Sequence, residues 1–248
     1  MTSILFDNVT KTFKLHHGRA LLAGHLRGLW KRRRASRQTL YALRDVSFRI
    51  GAGESVALIG SNGAGKSTAL SLMAGLARPD AGAVRVEGRM ATLLELGSGF
   101  HPDLTGEENV ILNASLLGMS RRAAREALPL ITAFAGLEEF IGEPLRTYSM
   151  GMVMRLAFAT ATHVEPDIVL IDEVLAVGDQ DFQSKCAARL DHLRGEGRTL
   201  VCVSHDLSTV LRICTRGLWL DHGRLRMDGP VSEVVAAYQA TAAAAAPA

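Results

Sequence analysis

The stretch Gly60-Ser-Asn-Gly-Ala-Gly-Lys-Ser67 constrains this chain more than any other. It matches G-x-x-x-x-G-K-[S/T] in full, between a short apolar run (Glu54 to Ile59) and a helix-like stretch (Ser67 to Leu76). A glycine-rich turn with a stray lysine would not bring that strand and helix with it. Triphosphate oxygens need many backbone N–H donors at once, so such a loop must wrap tightly. Gly60, Gly63 and Gly65 allow the unusual dihedrals and the close approach, with Ser61, Asn62 and Ala64 completing the loop. The helix start after Gly65 adds partial positive charge. Lys66 reaches the outer phosphates, the Ser67 hydroxyl suits Mg²⁺, and Thr68 adds a phosphate contact. A nucleoside triphosphate with Mg²⁺ is the ligand this chemistry points to.

Around the loop, strand-like and helix-like segments alternate. Strands are expected at Ile4 to Phe13, Ala42 to Ile50, Val84 to Glu87, Met90 to Leu96, Ile168 to Ile171 and Thr199 to Val203. Trp219 to Leu225 reads as a hairpin turning at Asp221-His-Gly223. Helices are expected at Phe182 to Arg194 and Val231 to Tyr238, with a frayed alanine tail over 241–248. From about residue 105 to 164 the periodicity is helical, and Thr105 with Glu108 has the form of a capping box. The prediction is one α/β domain over 1–240: a P-loop NTPase core with parallel sheet, an antiparallel β subdomain and an inserted helical subdomain.

Two strand ends carry further chemistry. Ile168-Val-Leu-Ile171 leads into Asp172-Glu173. A carboxylate at a strand end beside a phosphate loop can hold the Mg²⁺ shell, the role given to Asp172. The next can deprotonate an attacking water, the role given to Glu173. Without the phosphate loop the two would read better as a solvated strand end. After the other buried strand comes Ser204-His205, placing a histidine where it can bond a γ-phosphate and Glu173.

With these pieces in this order, the chain resembles the ATPase subunits of ABC transporters from Ile4 to Tyr238. Tyr148-Ser-Met-Gly-Met-Val-Met-Arg155 is similar to the family's L-S-G-G-Q signature continued to its arginine. It departs at Met150 and Met152, where glycine and glutamine are usual. The resemblance implies a head-to-tail homodimer with two ATP molecules in the seam. Ser149 and Gly151, at a helix N-terminus, would meet the γ-phosphate held by the other subunit. It also makes Asp179 the aspartate that signals across the dimer and His205 the switch histidine. Phe13 becomes the ring that stacks on adenine, with Tyr41 as rival. The family's coupling glutamine should fall near Leu96, and none is there; Glu95 and Ser98 are neighbours without an assigned role.

Softer features resemble the branch that exports O-antigen, capsule or teichoic acid: Glu95 to Gly106, the Tyr-Ser-x-Gly-Met signature, and Tyr-Ala-Leu-Arg-Asp-Val-Ser47 after a basic insert. That insert, 14–38, carries Lys14, Arg19, Arg27, Lys31, Arg32, Arg33, Arg34 and Arg37 and no acid. Leu22, Leu26, Leu29 and Trp30 recur at helical spacing, as in a basic amphipathic helix lying on anionic lipid or a lipid-linked glycan. A solvated basic face is the plain alternative, and Lys/Arg clusters meet nucleic acid too. Some relatives of this branch carry a C-terminal sugar-binding domain; past Tyr238 none is expected here.

Composition narrows the setting. Of 248 residues, 48% are hydrophobic and the net charge is +3, too small to argue for a nucleic-acid partner. No apolar run reaches spanning length and no signal peptide opens the chain, so it is expected to stay in the cytosol; the resemblance implies a place on the cytoplasmic side of the inner membrane, held there by an integral permease. Cys186, Cys202 and Cys214 read as buried hydrophobes. The alternatives are an ABC ATPase for another cargo and a soluble one acting on ribosomes or nucleic acid. One ATP-binding unit without a long coiled coil speaks against the soluble form.

Overall fold

The computed structural model describes residues 2–14, 39–93, 97, 99–172, 178–204 and 206–245. Two sheets share its central core. One is antiparallel, in the order β2-β1-β4. Its strands are β1 (Thr2–Lys14), β2 (Thr39–Gly51) and β4 (Ala81–Val86). The other has the order β5-β6-β7-β3-β8-β9. It comprises β3 (Ser55–Ile59), β5 (Met90–Thr92), β6 (Ile168–Ile171), β7 (Thr199–Val203), β8 (Arg216–Asp221) and β9 (Arg224–Pro230). Its first five strands in space run parallel, and β9 returns antiparallel along β8.

Burial explains the element types. Every residue of β3, β6 and β7 is buried, as strands covered on both faces must be. One face packs on the antiparallel sheet and α1 (Lys66–Met73), around Ile4, Phe6, Phe48, Leu58 and Leu70, with the Phe6 and Phe48 rings stacked at 4.4 Å. The other packs on α4 (Met150–His163), α5 (Gln180–Gly195), α6 (Leu207–Ile213) and α7 (Val231–Ala245). A separate core of Val110, Ile131, Tyr148 and Leu156 joins α2 (Gly106–Leu116), α3 (Arg121–Ala135) and α4 as the helical subdomain.

Several boundaries differ from expectation for local reasons. Helix α1 stops at Met73, not Leu76, because Gly75 turns left-handed (φ 71) and the Leu76 N–H bonds back to Ser71 O. Helix α7 runs on through Ala245, since alanine favours helix. Strand β5 pairs with β6 only over Met90–Thr92, and β4 starts early because Ala81 pairs with Thr10. The hairpin turn is where predicted, with both His222 (φ 46) and Gly223 (φ 77) left-handed. The capping box at Thr105 and Glu108 forms as expected. Among the described residues no helix is long and apolar enough to cross a membrane.

Candidate functional site: a phosphate loop facing the antiparallel sheet

A pocket of about 250 Å³ opens between the two sheets. One wall is Phe13, Leu40 and Ala42 from β1 and β2; the other is Asn62, Gly63, Gly65, Lys66, Ser67 and Thr68. The loop's shape is forced from outside as well as by its own glycines. A Cβ on Gly60 would overlap the carbonyl oxygen of Leu220, and one on Gly65 would overlap Ala42 O and Leu43 Cδ2. Gly63 has open space around its missing Cβ and is needed only for its φ of 79°. Lys66 is 7% exposed, and its ammonium donates to Gly60 O (2.7 Å) and Ser61 O (3.0 Å). The cation is thus held across the loop's mouth.

Phe13, not Tyr41, lines the pocket. Both rings are 47% exposed, but Tyr41 carries the Arg44 guanidinium 5.1 Å from its centroid and is no part of the wall. Asp80 pins the strand that presents Phe13. It accepts from the Thr12 hydroxyl and N–H at 2.7 and 2.6 Å and pairs with Lys11 at 3.1 Å. The Thr12 hydroxyl bond, then the Thr12 N–H and Lys11, hold its pKa down to about 2. Leu40, Ala42 and Asp80 escaped the sequence reading. Their role comes from strand pairing (Phe13 with Leu40, Thr12 with Tyr41), which no local motif announces.

Asp172 follows β6 at the same end of the sheet. Ile171 pairs with Cys202, and Cys202 with Ala57, so Asp172 lies level with Leu58 two strands away. At about 4.8 Å per strand, that is roughly 10 Å across the sheet. Glu173 lies outside the described residues, as do His205, Glu95, Leu96, Ser98 and the insert beyond Lys14. The residues flanking His205 are ordered by a tight cap. Asp206 accepts from Ser208 Oγ and N–H and from Thr209 Oγ1, bonds that hold its pKa to about 2.

The signature residues stand elsewhere. Ser149 is the N-cap of α4, its Oγ accepting the Met152 N–H at 3.2 Å, and Gly151 sits in the first turn. Neither lines the Lys66 pocket. Met150 is 75% exposed at the helix start. Tyr148 fixes the approach: its ring is buried and its hydroxyl donates to Phe140 O. Burial raises the pKa of that phenol. Asp179 caps α5, its Oδ1 accepting the Phe182 N–H at 2.9 Å.

Comparison with known proteins gives the family. The ABC transporter family profile matches residues 43–176. The O-antigen export system ATP-binding protein RfbB of Klebsiella pneumoniae is 46% identical over 241 residues, covering 95% of this chain and 97% of that protein. The teichoic acids export ATP-binding protein TagH of Listeria innocua is 40% identical over 235 residues, 95% of this chain and 69% of its own length. Among solved structures, the dimeric ATP-binding cassette MJ0796 bound to ADP and Pi superposes with a TM-score of 0.72 at 25% identity, covering 92% of this chain and 98% of that one. Phosphate loop, sheet order, signature helix and relatives converge: this chain belongs to the ABC transporter family and is one of its ATPases.

Proposed function

We propose that this chain powers export of a lipid-linked polysaccharide, such as O-antigen, capsule or teichoic acid, across the cytoplasmic membrane. The observation that carries the cargo is the 46% identity to an O-antigen export ATPase over almost the full length of both chains. The chain works as a homodimer bound to an integral permease on the cytoplasmic face of the inner membrane. The absence of a spanning helix among the described residues accords with a separate membrane subunit. A groove of about 360 Å³ along α2 and α3, with apolar Leu104, Ile111 and Leu112, basic Arg121 and Arg125 and acidic Glu108, suits an amphipathic permease helix with charges at its edges.

ATP lies in the pocket between Phe13 and the loop, its base against the Phe13 ring and its phosphates in the N–H cradle of Gly60 to Thr68. The donors are hard oxygens, the Ser67 hydroxyl and the Asp172 carboxylate, which fit Mg²⁺. That ion would neutralise charge on the β- and γ-phosphates. Glu173 takes the proton of the attacking water, and His205 bonds the γ-phosphate. Ser149 and Gly151 of the other copy close the seam, and Asp179 reports across it. The basic insert joins Lys14 to Thr39, which pair one step from Phe13 and Leu40, and its cations meet anionic headgroups or the glycan's lipid phosphate. No nucleic-acid partner is part of this reading.

The test is a host strain whose only copy carries Glu173→Gln. Long-chain glycan trapped inside on its lipid carrier and missing from the surface is the expected result. Normal surface glycan would remove the polysaccharide cargo while leaving the ATPase in place.

A further inference from the structure

The turn between β8 and β9 reaches the nucleotide pocket from behind. Gly223 there is buried and bonded on both sides. Its N–H donates to Ala64 O in the phosphate loop (3.1 Å), and its carbonyl accepts the Arg44 N–H of β2 (2.7 Å). One peptide thus bridges the loop that takes the phosphates and the strand that forms the opposite wall. The fit on the strand side is close. A Cβ on Gly223 would stand 2.8 Å from Ala42 O and 3.1 Å from Ala42 C, below ordinary van der Waals contact. Ala42 itself lines the pocket. Nothing on the phosphate-loop side obstructs that Cβ so closely, so any added atom pushes on β2. Of the loop's two outside walls, the Leu220 carbonyl against Gly60 stays in place, and only the Ala42 carbonyl against Gly65 moves with β2.

We propose that Gly223 is a positioning residue that sets the spacing between the phosphate loop and the Phe13–Leu40–Ala42 wall, and so the fit of the adenosine half of the nucleotide. The inference rests on the ATP-site reading. Its signature is a split: displacing β2 weakens contact with the base far more than it disturbs the phosphate cradle, whose loop is still held at Gly60.

The experiment measures Mg²⁺-dependent affinity of the full chain for ATP and for inorganic tripolyphosphate by calorimetry. Tripolyphosphate uses the cradle alone. Gly223→Ala should weaken ATP by about tenfold, the scale of one lost ring contact, and leave tripolyphosphate within about twofold. The exposed neighbour His222, substituted to Ala, should leave both affinities unchanged. Equal weakening of both ligands, or of neither, would overturn the spacing role. A wild-type chain that bound neither ligand would instead remove the ATP-site reading. If circular dichroism shows Gly223→Ala unfolded, Gly223→Asn takes its place. Asparagine tolerates a positive φ but still aims a Cβ at Ala42. An Asn variant with wild-type ATP affinity would end the proposal.

Discussion

Two helix starts in this chain are proposed to meet phosphate, and they are built in opposite ways. Helix α1 begins after Gly65, which is left-handed (φ 106) and gives no side-chain cap, so its first N–H groups stay open to a ligand. Backbone from distant strands walls it in: Leu220 O at Gly60 and Ala42 O at Gly65. Helix α4 begins after Ser149, whose Oγ accepts the Met152 N–H, and its first residue, Met150, is the most exposed large apolar side chain among the described residues at 75%. The first start is complete within one chain. The second faces outward and, in the proposed dimer, finds its phosphate on the other copy. Binding a nucleotide and committing to hydrolysis are therefore separable by mutation.

The largest expected effect breaks the first region alone. Gly60→Ala and Gly65→Ala should each cost at least about 100-fold in ATP affinity, because the added carbon meets fixed backbone and displaces the donors. Gly63→Ala meets no neighbour and pays only for its positive φ, about 1–2 kcal/mol or roughly 5- to 30-fold. Fluorescent-nucleotide titration ranks the three, and equal losses would contradict the backbone-wall account.

Tyr148→Phe addresses the second region. It removes one of two donors to Phe140 O, which keeps the Glu143 N–H at 2.8 Å, and should cost about 0.5–1.5 kcal/mol, visible as a melting temperature lower by a few degrees. ATP affinity of the monomer should not move. A fall in that affinity would mean that the two regions are not independent.

Acid should separate the regions more gently. His163, at the far end of α4, has its pKa lowered, first by burial, while its ring bonds Ala159 O. A depressed folded pKa means that stability is fully present above the unfolded value of about 6.5 and is lost as pH falls towards the folded one. The carboxylate of Asp80, held to about 2, keeps its contribution until the pH drops below about 4. Melting curves between pH 8 and 5 should therefore shift in the wild type and flatten in His163→Leu. Unchanged slopes would remove His163 as the cause.

The same contrast explains what could be read in the sequence. The phosphate loop was legible because its chemistry needs contiguous residue types, and the signature because a cap and a glycine must open one helix. What holds them was not. Leu220 and Ala42 act through carbonyl oxygens, which every residue type has, and Gly223 acts across more than 150 positions of chain. Asn109 is similar: it is fully buried, and its amide donates to His101 O, Leu104 O and Thr105 O, shaping the approach to α2. Element ends were missed where one residue decided them, as Gly75 does for α1.

In the proposed dimer each ATP site takes its loop from one chain and its signature from another. The direct measurement counts ATP trapped by purified chains that all carry Glu173→Gln, with either Lys66→Ala or Ser149→Arg added. Each doubly substituted chain alone should trap none, since every dimer it forms lacks one half of both sites. Their equimolar mixture should trap ATP, because mixed dimers contain one intact pairing of loop and signature. Trapping by the Ser149→Arg chain alone, or none by the mixture when the Glu173→Gln parent traps it, would contradict the shared site.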